Sequence, residues 1–241
     1  MLLKIKKREP IIINTILFVG IGLFFLHVQY AYRTKLSAFS WYLLWATIKL
    51  YWPVLPLSAL SIWAAWTHRK IATQFFSWTV GLIAFFTLTG LYIDFNKVLI
   101  LALFFLGIIA HLLYQQLKFT LNWASYQSNY LTEDLFEPVL TKISGEINHD
   151  GKLIPFYLTN WDEYGVFLYL TEPMPFEGEI ELTLYYDQLH FKGHGEVVAQ
   201  SMDQRGIGVK LKNNAPQVDQ FFWSDFVQMT EELGLHPARL R

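Results

Sequence analysis

The chain contains no cysteine among its 241 residues. This absence excludes a disulfide framework, a thiolate-ligated metal site and a cysteine nucleophile. Charged residues are also scarce, at 16%, whereas 53% of the residues are hydrophobic and 17% are aromatic. Such a composition is too apolar for an ordinary soluble domain, and it predicts a membrane protein.

Acidic residues are almost missing from the first half of the chain. Up to Lys118, only Glu9 and Asp94 stand against eleven Lys and Arg, whereas the remainder has 18 acidic and eight basic residues. The net charge of −1 therefore combines a basic, apolar half with an acidic half. The predicted organisation is a transmembrane domain over 1–117, a linker helix over 118–137 and a soluble cytoplasmic domain over 138–241.

Long uncharged runs predict the membrane spans. The segment "PIIINTILFVGIGLFFLHV" (10–28) has about the length that a helix needs to cross ~30 Å of hydrocarbon. Basic residues precede it, as in a signal peptide, but no small-residue cleavage site follows, so we expect the segment to be retained. The stretches 75–93 and 98–114 predict a helical hairpin around the turn "DFNK".

The stretch 36–66 is open to two interpretations because Pro53 and Pro56 interrupt it. In the favoured one, the aromatic-rich residues 36–52 lie at the membrane interface and 53–66 cross, which gives four spans. In the other, a fifth span moves the soluble domain outside. The distribution of Lys and Arg among the loops favours four spans with both termini in the cytoplasm of a bacterial inner membrane. Since no acidic residue lies within a span, we do not expect a proton or cation transporter.

The acidic half has the pattern of a small β-protein. The segments "EIELTLYY" (179–186) and "GIGVKL" (206–211) alternate apolar and polar residues, and turn signals separate the strands at short intervals. We therefore expect an antiparallel β-barrel. A closing C-terminal helix is predicted by apolar residues at helical spacing, namely Val218, Phe222, Phe226, Met229 and Leu233. The predicted fold class is thus an α-helical transmembrane bundle of about four spans followed by a small antiparallel β-barrel with a C-terminal helix.

Between two predicted strands stands "NWDEYG" (160–165). Together with the order of strands and the late "GIGVKL", this segment resembles the PilZ domain, a bacterial barrel best known for binding cyclic di-GMP. The resemblance covers roughly residues 138–230. In that family the motif is Asp or Asn, any residue, Ser, two more residues and Gly, so Asn160 and Gly165 match whereas Asp162 replaces the serine. By this resemblance, the three positions are the candidate ligand-binding residues.

The arginine pair that precedes the barrel in that family is absent, because no arginine occurs between Lys118 and Asn160. The segment "TEDLFEPVLTK" (132–142) at the expected place carries Glu133, Asp134 and Glu137 instead. Asp162 adds a like charge, and at ~5 Å from a phosphate it would cost on the order of 3 kcal/mol. We therefore expect no cofactor, and cyclic di-GMP in particular not to bind.

Other chemistry is weakly indicated. The spacing of His190 and His194, with His149, is compatible with a metal site but is more typical of a surface turn. The sequence shows no phosphate loop, nucleophile elbow or basic nucleic-acid stripe, so neither an enzyme nor a nucleic-acid partner is expected. We expect the basic "KIKKR" and "HRK" segments to bind the anionic lipid surface.

Two functions follow from the sequence. The first is a membrane-anchored adaptor or assembly subunit of a bacterial envelope machine for polysaccharide export, pilus assembly or secretion. Its partners would be the lipid bilayer and other membrane proteins of the same complex. Trp161 and Tyr164 are the candidate partner-binding residues, because loop aromatics are favoured interface anchors. The alternative is a cyclic di-GMP receptor that regulates such a machine.

Overall fold

The computed structural model describes residues 3–127, 143–149, 151–212 and 221–234. The chain forms two compact units, one of residues 9–121 and one that combines residues 1–8 with 122–241. The first unit is helical. Its helices are α1 (Pro10–Thr34), α2 (Trp41–Leu50), α3 (Val54–Trp66), α4 (Ala72–Ile93) and α5 (Lys97–Leu121).

Three of these helices, α1, α4 and α5, are each long and apolar enough to cross a membrane. The pair α2 and α3 has the composition of one further span, but its two helices are bent by 82° relative to each other. The break falls at Tyr51 to Pro53, where the proline removes a backbone donor and fits only the first turn of the next helix. The division of 36–66 into two pieces is confirmed, and the helices allow up to four spans.

The second unit is a closed β-barrel. Its six barrel strands are β2 (Ile143–His149), β3 (Lys152–Trp161), β4 (Gly165–Leu170), β5 (Glu179–Tyr186), β6 (Leu189–Ser201) and β7 (Gly206–Leu211). They pair antiparallel in the order β6-β5-β2-β3-β4-β7, and β7 pairs again with β6 to close the ring. Alternate residues such as Ile147, Leu182 and Val209 fill the interior, as the period-two pattern predicted.

The C-terminal helix α6 (Trp223–Glu232) closes the barrel after the short strand β8 (Phe221–Phe222), which pairs with β6. Phe226 is fully buried against the barrel core, whereas Leu233 is 52% exposed, so the predicted apolar stripe extends too far. Val218 lies outside the described residues. The prediction of a barrel with a C-terminal helix is confirmed.

The predicted transmembrane domain of residues 1–117 includes the strand β1 (Leu3–Ile5), which in the structure belongs to the barrel unit. This strand pairs with the C-terminal half of β6, with Leu3 opposite Ser201 and Ile5 opposite Ala199. The following residues stay on the barrel, since the backbone N–H of Lys6 donates to the Val198 carbonyl. The N-terminal residues therefore belong to the barrel unit, because the edge of β6 offers backbone hydrogen bonds that an isolated basic tail lacks.

Candidate functional site

The candidate site lies at the turn between β3 and β4, with Asn160 near the end of β3, Asp162 in the turn and Gly165 at the start of β4. In the structure this turn is covered by residues 123–127, the segment that follows α5. Residues Ala124–Tyr126 of this segment form one turn of 3-10 helix and are buried. We call the residues that hold the segment, Asn160, Asp162, Gly165 and Gly208, the linker seat.

Asp162 is the centre of the linker seat. One oxygen of its carboxyl group accepts hydrogen bonds from the backbone N–H groups of Tyr164, at 2.8 Å, and Gly165, at 2.7 Å. The other oxygen accepts from the backbone N–H of Ala124, at 2.6 Å. The first two bonds shape the turn, and the third fixes the linker to it. Burial raises the pKa of the Asp162 carboxyl, and the three hydrogen bonds offset part of that rise.

Two glycines allow the linker to lie directly on the barrel. A Cβ atom on Gly208 would stand 1.7 Å from the backbone oxygen of Ser125, and one on Gly165 would stand 2.9 Å from the Ser125 Cβ. No side chain fits at either position while the linker is in place. Asn160 completes the seat, because its side-chain amide donates to the Gln127 carbonyl at 3.2 Å. All three residues of the nucleotide-like motif thus contact the chain's own linker.

Trp161 is part of the barrel core. Its side chain is 6% exposed, packs against Phe226 of α6, and donates its indole N–H to the Thr230 hydroxyl at 3.3 Å. The reason is the irregularity of β3 between Leu158 and Asn160, which shifts the strand alternation by one residue, so that Trp161 joins Phe156 and Leu158 in the core. This burial leaves Trp161 little surface for a partner, so the structure does not support Trp161 as a partner-binding residue.

Tyr164 is the aromatic residue of the turn that solvent reaches, at 40% exposure. Its ring stacks on Trp123 of the linker, with centroids 5.9 Å apart and ring planes 17° apart. The ammonium group of Lys210 lies 4.8 Å from the centroid of the same Trp123 ring. This geometry is a cation–π contact on a stacked pair, so Tyr164 also serves to hold the linker.

The linker and the N-terminal residues meet on the same part of the barrel. Tyr126 is 5% exposed and packs in a cluster with Val198, Ala199 and Ile5. Its hydroxyl donates to the Lys7 carbonyl at 3.3 Å. Both segments that connect the barrel unit to the helical unit are therefore fastened side by side on β6 and its neighbours.

The "KIKKR" segment is engaged in the same way. The Lys6 ammonium donates to the Phe176 carbonyl and is largely buried, and the Lys7 ammonium pairs with Glu196 at 2.5 Å. These two side chains thus contact the barrel, while binding of the basic segments to the lipid surface stays a prediction. Their charge offsets part of the acidity of the barrel unit.

Sequence reasoning missed the linker's contribution. The linker was expected to be a helix over 118–137, but the described part continues α5 only to Leu121 and then forms one 3-10 turn. Two features of the sequence indicate this contact. Ser125 is a small residue between Trp123 and Tyr126, and position 208 carries a glycine, which leaves room for a close backbone approach. Glu133, Asp134 and Glu137 lie outside the described residues.

Neither metal chemistry nor a known relative adds to this site. Among the described residues, no group of three His, Asp or Glu side chains could hold a metal ion. His194 instead contacts the Glu179 carboxylate at 2.9 Å. The chain matches no protein family, no curated protein and no solved structure. The role of the linker seat therefore follows from its own contacts.

Proposed function

We propose that this chain is a multi-pass membrane protein whose PilZ-like barrel works as an adaptor at the membrane surface and does not bind nucleotide. One observation carries the proposal. Asn160, Asp162 and Gly165, the positions that resemble a ligand motif, hold the chain's own linker. The motif thus couples the barrel to the segment that follows α5.

A dinucleotide would have to displace the linker to use these positions. Displacement breaks the hydrogen bonds from Ala124 to Asp162 and from Asn160 to Gln127, each worth about 1 kcal/mol. Exposing the buried Tyr126 ring costs about 2 kcal/mol more. Together these losses weaken a competing ligand by roughly several hundredfold. The ligand would also meet the Asp162 carboxylate, and no arginine precedes the barrel to offset it.

The path of the chain supports an even number of membrane crossings. The segment before α1 and the segment after α5 both belong to the barrel unit. If α1, α4 and α5 cross a membrane, both ends can return to one barrel only when the number of crossings is even. This supports four crossings, with the bent pair α2 and α3 as the remaining one. The excess of Lys and Arg favours the cytoplasmic side of a bacterial inner membrane for the barrel.

An adaptor of this kind holds partner proteins at the membrane surface and catalyses no reaction. The barrel holds both segments that lead to the membrane helices, the residues before α1 and the residues after α5. Its partners would be other membrane proteins of one envelope complex, and the resemblance to PilZ domains supports polysaccharide export, pilus or secretion machinery.

Calorimetric titration with cyclic di-GMP tests the proposal. The protein should be the full chain in nanodiscs, because β1 belongs to the barrel and a fragment that starts after α5 lacks it. We expect no saturable heat at micromolar ligand. Saturable binding near 1 µM, which corresponds to about −8 kcal/mol, would establish the receptor alternative instead. A reporter fused after Arg241 that is active only outside the cytoplasm should stay silent.

A further inference from the structure

A row of polar aromatic residues crosses the outer face of the barrel, away from the linker seat. The strand register places Tyr169, Tyr157, Ser144, Tyr185 and His190 opposite one another on β4, β3, β2, β5 and β6. The residues between them along each strand point into the core, so this row faces outward. Tyr157 is 52% exposed.

The small Ser144 opens a groove in this row. Tyr157 and Tyr185 lie on the strands at either side of Ser144, so their Cα atoms are about 9–10 Å apart. The groove has a volume of about 260 Å³, and Thr171 and Glu146 also line it. Pockets for drug-sized ligands have roughly 300–1,000 Å³. The groove therefore fits one large side chain rather than a nucleotide or an organic cofactor.

Glu146 is the charged group of the groove. It is half-buried, and its carboxylate accepts a hydrogen bond from the Tyr185 hydroxyl at 3.3 Å. No cation of the described residues forms an ion pair with it. Lys192 shares its cross-strand row, but Thr183 stands between them and Lys192 lines a different cavity. A partly desolvated carboxylate without a counter-ion costs free energy, and a bound cation would offset that cost.

We propose that this groove binds an arginine side chain from a basic segment of a partner protein. A guanidinium group is planar, so it stacks on tyrosine rings, and its fork of N–H donors matches a carboxylate. The groove supplies both features, with Tyr157 and Tyr185 as walls and Glu146 at its edge. The excess of acidic residues after Lys118 attracts a basic segment at longer range. This surface does not depend on the linker seat or on the adaptor proposal.

The test is a titration of the full chain, in detergent micelles and with ¹³C-labelled tyrosine rings, followed by nuclear magnetic resonance. The probe is the peptide acetyl-Gly-Arg-Gly-amide, and the control peptide carries neutral citrulline, which has nearly the same shape. We expect saturable shifts of the Tyr157 and Tyr185 signals with the arginine peptide alone, assigned with the variants Tyr157→Phe and Tyr185→Phe.

Two variants of the groove sharpen the test. Glu146→Gln should weaken binding at least tenfold, and Ser144→Leu, which fills the groove without changing charge, should abolish it. Glu181→Gln, on the exposed face of β5 outside the groove, is the matched control and should bind like the wild type. Equal shifts with the citrulline peptide, or unchanged affinity in Glu146→Gln, would overturn the proposal. If one groove variant fails to fold, the other and the citrulline comparison still decide.

Discussion

The contact between the linker and Gly208 makes the sharpest prediction. In Gly208→Ala the added Cβ would stand 1.7 Å from the Ser125 oxygen, and neither atom belongs to a side chain that can rotate away. The linker must therefore move off the barrel. The move loses two hydrogen bonds at about 1 kcal/mol each and part of the burial of Tyr126, worth about 2 kcal/mol. We expect the closed linker to be destabilised by about 2–4 kcal/mol.

Hydrogen exchange of the full chain in micelles measures this effect. The peptide that covers residues 122–127 should exchange about 30-fold to several hundredfold faster in the variant, since about 1.4 kcal/mol corresponds to a factor of ten. Gly193→Ala is the control, because its Cβ would meet the flexible end of the Leu182 side chain and no linker atom. The reasoning is refuted if Gly208→Ala leaves the exchange of 122–127 unchanged, or if Gly193→Ala accelerates it equally.

Three further predictions follow from the same structure. Lys4 and Gln200 lie opposite each other on β1 and β6, so cysteines at these two positions should form a disulfide in this cysteine-free chain. If the two cysteines do not oxidise, the pairing of β1 with β6 is contradicted. Trp161→Ala should lower the free energy of unfolding by about 3–5 kcal/mol, because it empties a core position. Tyr164→Ala, at a half-exposed position, should lower it by less than about 1 kcal/mol. Urea titrations measure both values, and equal losses would contradict the difference in burial. Because burial raises the pKa of Asp162, the folded state binds more protons than the unfolded state just above pH 3.8. The stability of the wild type relative to Asp162→Asn should therefore fall as the pH rises through that range. A rise in this relative stability would contradict the prediction.

Several elements follow from local patterns alone. The apolar runs at 10–28, 75–93 and 98–114 correspond to α1, α4 and α5, because an uncharged segment of such length satisfies its backbone groups only as a helix in an apolar medium. Pro53 in the 36–66 stretch marks the boundary between α2 and α3, because proline has no backbone N–H to donate within a helix. Alternation in 179–186 and 206–211 corresponds to β5 and β7 in the same residues.

The candidate site could be located from sequence, but its use could not. The segment "NWDEYG" lies at the junction of two strands, as predicted, with Asn160 and Trp161 ending β3, residues 162–164 in the turn and Gly165 beginning β4. Their partner is a segment some forty residues earlier in the chain, and no local periodicity encodes which distant backbone an aspartate will contact. Trp161 shows the same limit, because its burial depends on α6, whose Thr230 lies 69 residues later in the chain.

The sequence by itself determined that this protein has an apolar helical half and an acidic barrel, because hydrophobic length and alternation are read residue by residue. Only the tertiary structure decided that the basic N-terminal residues add a strand to β6, since that pairing needs an edge built from residues about 190 positions away. It also decided that Ser125 of the linker lies against Gly208 and Gly165. Close backbone approach is a property of two segments together, and neither segment carries it alone.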